Sequence, residues 1–116
     1  MGQSTMGLVV GEQFTVGELL KGVLVQSGND AATLIAEHVG GTVAHFVEMM
    51  NAKAKQLGMS RTKWVNPNGL PAENHVTSAR DLAILARALI REFPEYDSYW
   101  HISDLRGCPL LRRFRG

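Results

Sequence analysis

Ser27-Gly28-Asn29 is the part of this chain whose residue types most suggest chemistry: a hydroxyl and a carboxamide on either side of a glycine. Taken alone, the tripeptide reads as a helix junction, because Ser and Asn are also good helix caps. Other common sites can be struck off. Gly17-Glu18-Leu19-Leu20-Lys21-Gly22 starts like a phosphate loop, but Val23-Leu24 stands where Lys followed by Ser or Thr is required. Gly58-Met59-Ser60-Arg61-Thr62 lacks the last glycine of a nucleophile elbow. His38, His45, His75 and His101 show no metal-ligand spacing and read as surface or cap residues. No dinucleotide-binding motif is present.

The elements that must carry Ser27 and Asn29 read as helices. Thr15-Val16-Gly17-Glu18 has the pattern of a capping box, in which each end satisfies the other's backbone amide, and Phe14 with Leu19 fits a hydrophobic staple. Leu19, Leu20, Val23 and Leu24 make the apolar stripe of this first helix, and Ser27-Gly28 ends it. A second helix is expected from Asn29 or Asp30 to Val39, burying Leu34, Ile35 and Val39, with Gly40-Gly41 as its stop. Thr42 caps a third, whose face is Phe46, Val47, Met50, Ala54 and Leu57, closed by Gly58. From Gly58 to Val76 the period breaks. Asn66-Pro67-Asn68-Gly69 and Pro71 are turn chemistry, and Thr62-Lys63-Trp64-Val65 is at most a short extended piece. Thr77 or Ser78 opens a fourth helix, with Ser78 to Asp81 in the capping pattern. Leu82, Leu85, Ala86, Leu89 and Phe93 form its face, and Pro94 ends it.

Context gives the tripeptide its weight. The run Leu24-Val25-Gln26-Ser27-Gly28-Asn29-Asp30-Ala31-Ala32 resembles the stretch around the second active-site motif, Ser-x-Asn, of the low-molecular-mass penicillin-binding proteins, the serine-type D-alanyl-D-alanine carboxypeptidases of peptidase family S11. Leu57-Gly58-Met59, Asn66-Pro67-Asn68-Gly69-Leu70 and His75 to Ala83 continue the resemblance in the same order, from about Ser4 to about Ile102. The resemblance implies acyl transfer through a serine ester, using a Ser-x-x-Lys nucleophile motif, the Ser-x-Asn motif and a Lys-Thr-Gly motif on an edge strand. It makes Ser27 the hydroxyl that relays a proton to the leaving amine and Asn29 the carboxamide that orients the substrate amide. Gly28 permits the tight turn that aims both into the cleft. It implies no cofactor and no metal. The implied partners are a peptidoglycan stem peptide ending in D-Ala-D-Ala and, for the intact parent, β-lactams.

The sequence departs from that pattern in two places. It has no Lys-Thr-Gly. Its one Ser-x-x-Lys, Ser60-Arg61-Thr62-Lys63, follows the second motif instead of preceding it and sits beyond the helix-ending Gly58, so Ser60 and Lys63 are expected on a loop surface. The nucleophile motif is therefore expected before Met1 and the third motif after Gly116, and the chain by itself is expected to be inactive.

The implied fold class is mainly α: the helical region of the α+β fold shared by serine β-lactamases and penicillin-binding proteins, with the central sheet largely missing. Residues 1–105 are expected to be a helical subdomain of the carboxypeptidase domain. Residues 106–116 form a tail that does not resemble the family. At 116 residues with 45% hydrophobic and 20% charged side chains, the chain can bury one core and is too apolar for a disordered one. A net charge of +1 argues against nucleic acid as a partner. The basic excess sits in Arg106, Arg112, Arg113 and Arg115, with a mildly acidic body before them. No segment reads as a membrane span or a signal peptide, and the intact parent is expected to be periplasmic or otherwise extracytoplasmic. A non-catalytic helical interaction module, a nucleic-acid binder acting through the basic tail and a class A β-lactamase relative are the competing readings. The last fits less well, since those enzymes usually carry Ser-Asp-Asn where this chain has Ser27-Gly28-Asn29.

Overall fold

The computed structural model describes residues 4–99; the basic tail and His101 lie outside the described residues. Four helices follow one another: α1 Val16–Gln26, α2 Asn29–Gly40, α3 Val43–Leu57 and α4 Ala79–Glu92, with a 3₁₀ turn at Pro94–Tyr99. Their ends follow the local chemistry of the sequence. Thr15 and Glu18 close a reciprocal capping box on α1, Thr15 Oγ1 accepting from the Glu18 amide at 3.1 Å and Glu18 Oε2 from the Thr15 amide at 2.9 Å. Thr42 caps α3 by accepting from the His45 amide at 3.1 Å, and Gly58 ends that helix at φ +83°. Ser78 caps α4 through the Asp81 amide, also at 3.1 Å.

Burial differs from the expected faces. The buried apolar residues among those described are Leu19, Ala31, Ala32, Ala36, Ala54 and Met59, so small side chains of α2 form much of the core. Ala31, Ala32 and Ala36 share one face of α2, and their size lets that helix pack closely against α1 and α3. Leu34 and Val39, expected inside, are 41% and 51% exposed; Leu82 and Phe93 on α4 are 47% and 45% exposed. Periodicity marks an apolar face, but burial needs a second surface, and the described residues supply none there. Closeness is also visible where α2 meets α3. A Cβ on Gly40 would fall 2.8 Å from the backbone nitrogen of Phe46, too near for any side chain.

The loop between α3 and α4 has little regular structure. Lys63 and Val76 form one antiparallel bridge, each amide donating to the other's carbonyl at 2.8 and 3.0 Å. On the next residue, Asn51 of α3 takes both backbone groups of Trp64: Oδ1 accepts from its amide at 2.8 Å and Nδ2 donates to its carbonyl at 2.9 Å. Asp81, 1% exposed, holds the start of the loop to α4. Its Oδ2 accepts from the Arg61 amide at 2.8 Å and the Thr62 hydroxyl at 2.7 Å. The Thr62 hydroxyl, with the Arg61 amide and Ser78 hydroxyl in support, keeps the Asp81 carboxyl below the usual aspartate range against the opposing effect of burial.

Candidate active site

Ser27 and Asn29 lie on the tight connection between α1 and α2, and neither side chain caps a helix. Ser27 ends α1 in the left-handed region at φ 55°, ψ 40°. The Ser27 and Gly28 amides both donate to the Gly22 carbonyl, that of Gly28 at 3.1 Å, and so close the end of α1. Left-handed geometry normally selects glycine, so a serine here holds backbone strain at an exposed position. Its hydroxyl makes no hydrogen bond among the described residues. Gly28, with no side chain to cap α2, is the N-cap, and Asn29 is the first residue of that helix.

Asn29 is half-buried and held from the chain's N-terminal segment. Both its backbone amide and its Nδ2 donate to the Ser4 carbonyl, at 3.0 and 2.9 Å. Ser4 in turn hydrogen-bonds the Gln26 carbonyl through its hydroxyl. Asp30 then fixes the next part of the segment: Oδ1 accepts from the Met6 and Ala31 amides, both at 2.9 Å, and Oδ2 from the Leu8 amide at 3.1 Å. These amides, Met6 first, hold the Asp30 carboxyl below its ordinary pKa. With one Nδ2 hydrogen engaged, the second hydrogen and Oδ1 of Asn29 can face a ligand amide. A groove of about 580 Å³ runs beside it, walled by Thr5, Leu8, Thr33, Leu34 and Asn68 among others.

The sequence motif brought Ser27 and Asn29 together, but it gave no sign of Ser4, Asp30 or Asn68 around them. Ser4 acts through its carbonyl, which no side-chain pattern reports. Asp30 reads locally as an acidic residue in a helix's first turn. Ser60 and Lys63 are not part of the Ser27–Asn29 motif: both are exposed, Ser60 in a turn and Lys63 in the bridge, with no helical turn to align hydroxyl and amine. Among the described residues, no three His, Cys, Asp or Glu side chains are grouped to hold a metal, and no helix is long and apolar enough to cross a membrane.

Comparison with known proteins gives one family. The S11 peptidase family, described as D-alanyl-D-alanine carboxypeptidase, matches residues 1–106. The chain is 47% identical over 91 residues to the D-alanyl-D-alanine carboxypeptidase DacF of Bacillus subtilis, covering 78% of this chain and 23% of the relative. It is 44% identical over 94 residues to DacC of Escherichia coli, covering 81% of this chain and 24% of that protein. The crystal structure of DacD from Francisella tularensis superposes with a TM-score of 0.81 at 44% identity, over 85% of this chain and 24% of its own. Penicillin-binding protein D2 of Listeria monocytogenes, solved in its cefotaxime-bound form, matches with a TM-score of 0.69 at 32% identity, over 79% of this chain and 38% of that one. The chain thus spans about a quarter of the curated relatives it matches, in their helical region. These matches favour the carboxypeptidase reading over an unrelated interaction module or a class A β-lactamase. The chain belongs to the D-alanyl-D-alanine carboxypeptidase family of serine peptidases, of which it is a partial region.

Proposed function

We propose that this region supplies one wall of the cleft of a serine-type carboxypeptidase that removes the terminal D-alanine of peptidoglycan stem peptides through an acyl-enzyme. In this reading Ser27 passes a proton toward the leaving amine, and Asn29 orients the substrate amide with its free N–H and Oδ1. The observation that carries it is the pairing of an unengaged, strained and exposed hydroxyl with a clamped carboxamide two residues on. A strained turn that offers no cap hydrogen bond has a use when it aims a reacting group. The work takes place outside the cytoplasm, where peptidoglycan lies, and β-lactams would acylate the intact protein as mimics of the substrate. With its one Ser-x-x-Lys in a turn, the 116-residue chain alone offers no activated serine among the described residues and is expected to carry out no hydrolysis.

The test uses a full-length host, the Bacillus subtilis relative, with residues 4–99 of this chain in place of their counterpart. Ser27→Ala should lower turnover by ~10²–10⁴-fold, the range of general acid–base steps, with little change in unfolding midpoint. Lost stability with intact turnover would end the catalytic assignment. Separately, the 116-residue chain should form no adduct with a labelled penicillin by intact-mass spectrometry; acylation at Ser60 would overturn the reading of that loop.

A further inference from the structure

The loop Asn66-Pro67-Asn68-Gly69 carries two asparagines with different tasks. Asn66 closes the loop on itself. Its Oδ1 accepts from the Gly69 amide and its Nδ2 donates to the Leu70 carbonyl, both at 2.8 Å, while Gly69 turns the chain at φ +76°. Asn68 contributes nothing to that closure. Its half-buried Nδ2 reaches back 35 and 39 positions to the start of α2, donating to Thr33 Oγ1 at 3.1 Å and to the Asn29 carbonyl at 3.3 Å. Thr33 Oγ1 donates to the same Asn29 carbonyl at 3.1 Å. Asn29 is therefore held on its amide side by Ser4 and on its carbonyl side by Asn68 and Thr33. Asn68 also lines the groove that Asn29 faces.

We propose that Asn68 is a positioning residue for acyl transfer, which with Thr33 fixes the rotation of the first turn of α2 and hence the direction of the Asn29 carboxamide. The proposal rests on the reading of Asn29 as the substrate-orienting group. Physically, the loop is already closed by Asn66 and the helix by its own backbone bonds, so removing the Asn68 donor leaves both intact. What it releases is the lateral hold on one peptide unit. A carboxamide that must meet a substrate amide in one geometry loses rate when that hold goes, because small misplacements weaken oriented catalysis.

The experiment uses the same full-length host and counts functional sites by titration with labelled penicillin, so that turnover is expressed per folded site. Asn68→Ala and the isosteric Asn68→Asp, which has no N–H to donate, should each lower per-site turnover by about 3–10-fold, the value of one lost hydrogen bond. Thr33→Val should do the same, whereas Thr33→Ser, which keeps the hydroxyl, should stay within about twofold of the parent. The Thr33 pair keeps the test decisive if an Asn68 variant folds poorly. Unchanged per-site turnover with a lowered melting midpoint would overturn the proposal, since it is the signature of a structural loop contact. Asn29→Ala in the same host separates the two levels of the argument. If it costs turnover while the Asn68 and Thr33 variants do not, the positioning role fails alone; if Asn29→Ala is also harmless, the assignment beneath it fails too.

Discussion

Two buried or half-buried aspartates organise two regions of this chain, and they do so to different ends. Asp30 gathers the amides of Met6, Leu8 and Ala31, laying an N-terminal segment across the α1–α2 turn. Asp81 gathers the amide of Arg61 and the hydroxyl of Thr62, pinning an irregular loop to the start of α4. Around Asp81 the carboxylate stands in for a core, because the 58–76 loop contributes one buried apolar side chain, Met59, and one bridge. Around Asp30 the neighbouring alanines of α2 already provide that core, so the carboxylate shapes a surface. The lesson is that similar hydrogen-bond chemistry is structural in one place and leaves the α1–α2 turn open to solvent in the other.

This contrast can be broken by substitution. Asp81→Asn keeps the shape but replaces charge-assisted bonds with weaker ones in a buried site, and should lower the melting midpoint by about 10–20 °C. Asp30→Asn should lower it by roughly half as much, with faster hydrogen exchange confined to residues 4–8 and the first turn of α2. Equal midpoints for the two variants would erase the distinction. Both carboxyls titrate below the ordinary aspartate value of 3.8 in the folded protein, so they stabilise it above that pH. As pH falls through their lowered folded values that contribution is lost, and an acid titration of the midpoint should be shallower in Asp81→Asn than in the parent.

Smaller effects sharpen the picture at the α1–α2 region. Thr15→Ala removes half of the capping box and should cost about 1 kcal/mol by denaturant unfolding. An unchanged midpoint would detach α1 from the cooperative unit. Ser27→Gly is expected to stabilise slightly. Relief of left-handed strain gives about 1–2 kcal/mol, offset by about 0.4–1 kcal/mol of extra chain freedom in the unfolded state. A loss of stability would mean that the serine side chain supports the turn and that the strain argument fails.

The sequence displays the helix ends better than the surfaces between them. Thr15, Thr42, Gly58 and Ser78 act within four residues of themselves, and each does in the structure what its local chemistry requires. Leu34, Val39, Leu82 and Phe93 have apolar periodicity but stand exposed, because a period says which way a face points and not what meets it. Asp81 is absorbed by the capping pattern with Ser78, which hides its grip on Arg61 and Thr62, 20 and 19 positions away. At the candidate site, Ser27-Gly28-Asn29 is legible as a motif. The Ser4 carbonyl and the Asn68 carboxamide, 25 and 39 positions from Asn29, have no local signature, since they arise when three segments meet.

The clamp of Asn51 on Trp64 has a further consequence, for solubility. An extended segment paired on one side normally offers its other side as a row of free amides and carbonyls, a template on which another chain can assemble. Here Val76 occupies one side at Lys63, and at the next residue the Asn51 side chain occupies the opposite side, matching both backbone groups as a neighbouring strand would. A helix thereby lends one carboxamide in place of a strand, and the segment closes to intermolecular pairing without the rest of a sheet. Replacing Asn51 would reopen two backbone groups beside Val65, which is 39% exposed, and so create a sticky edge at this segment.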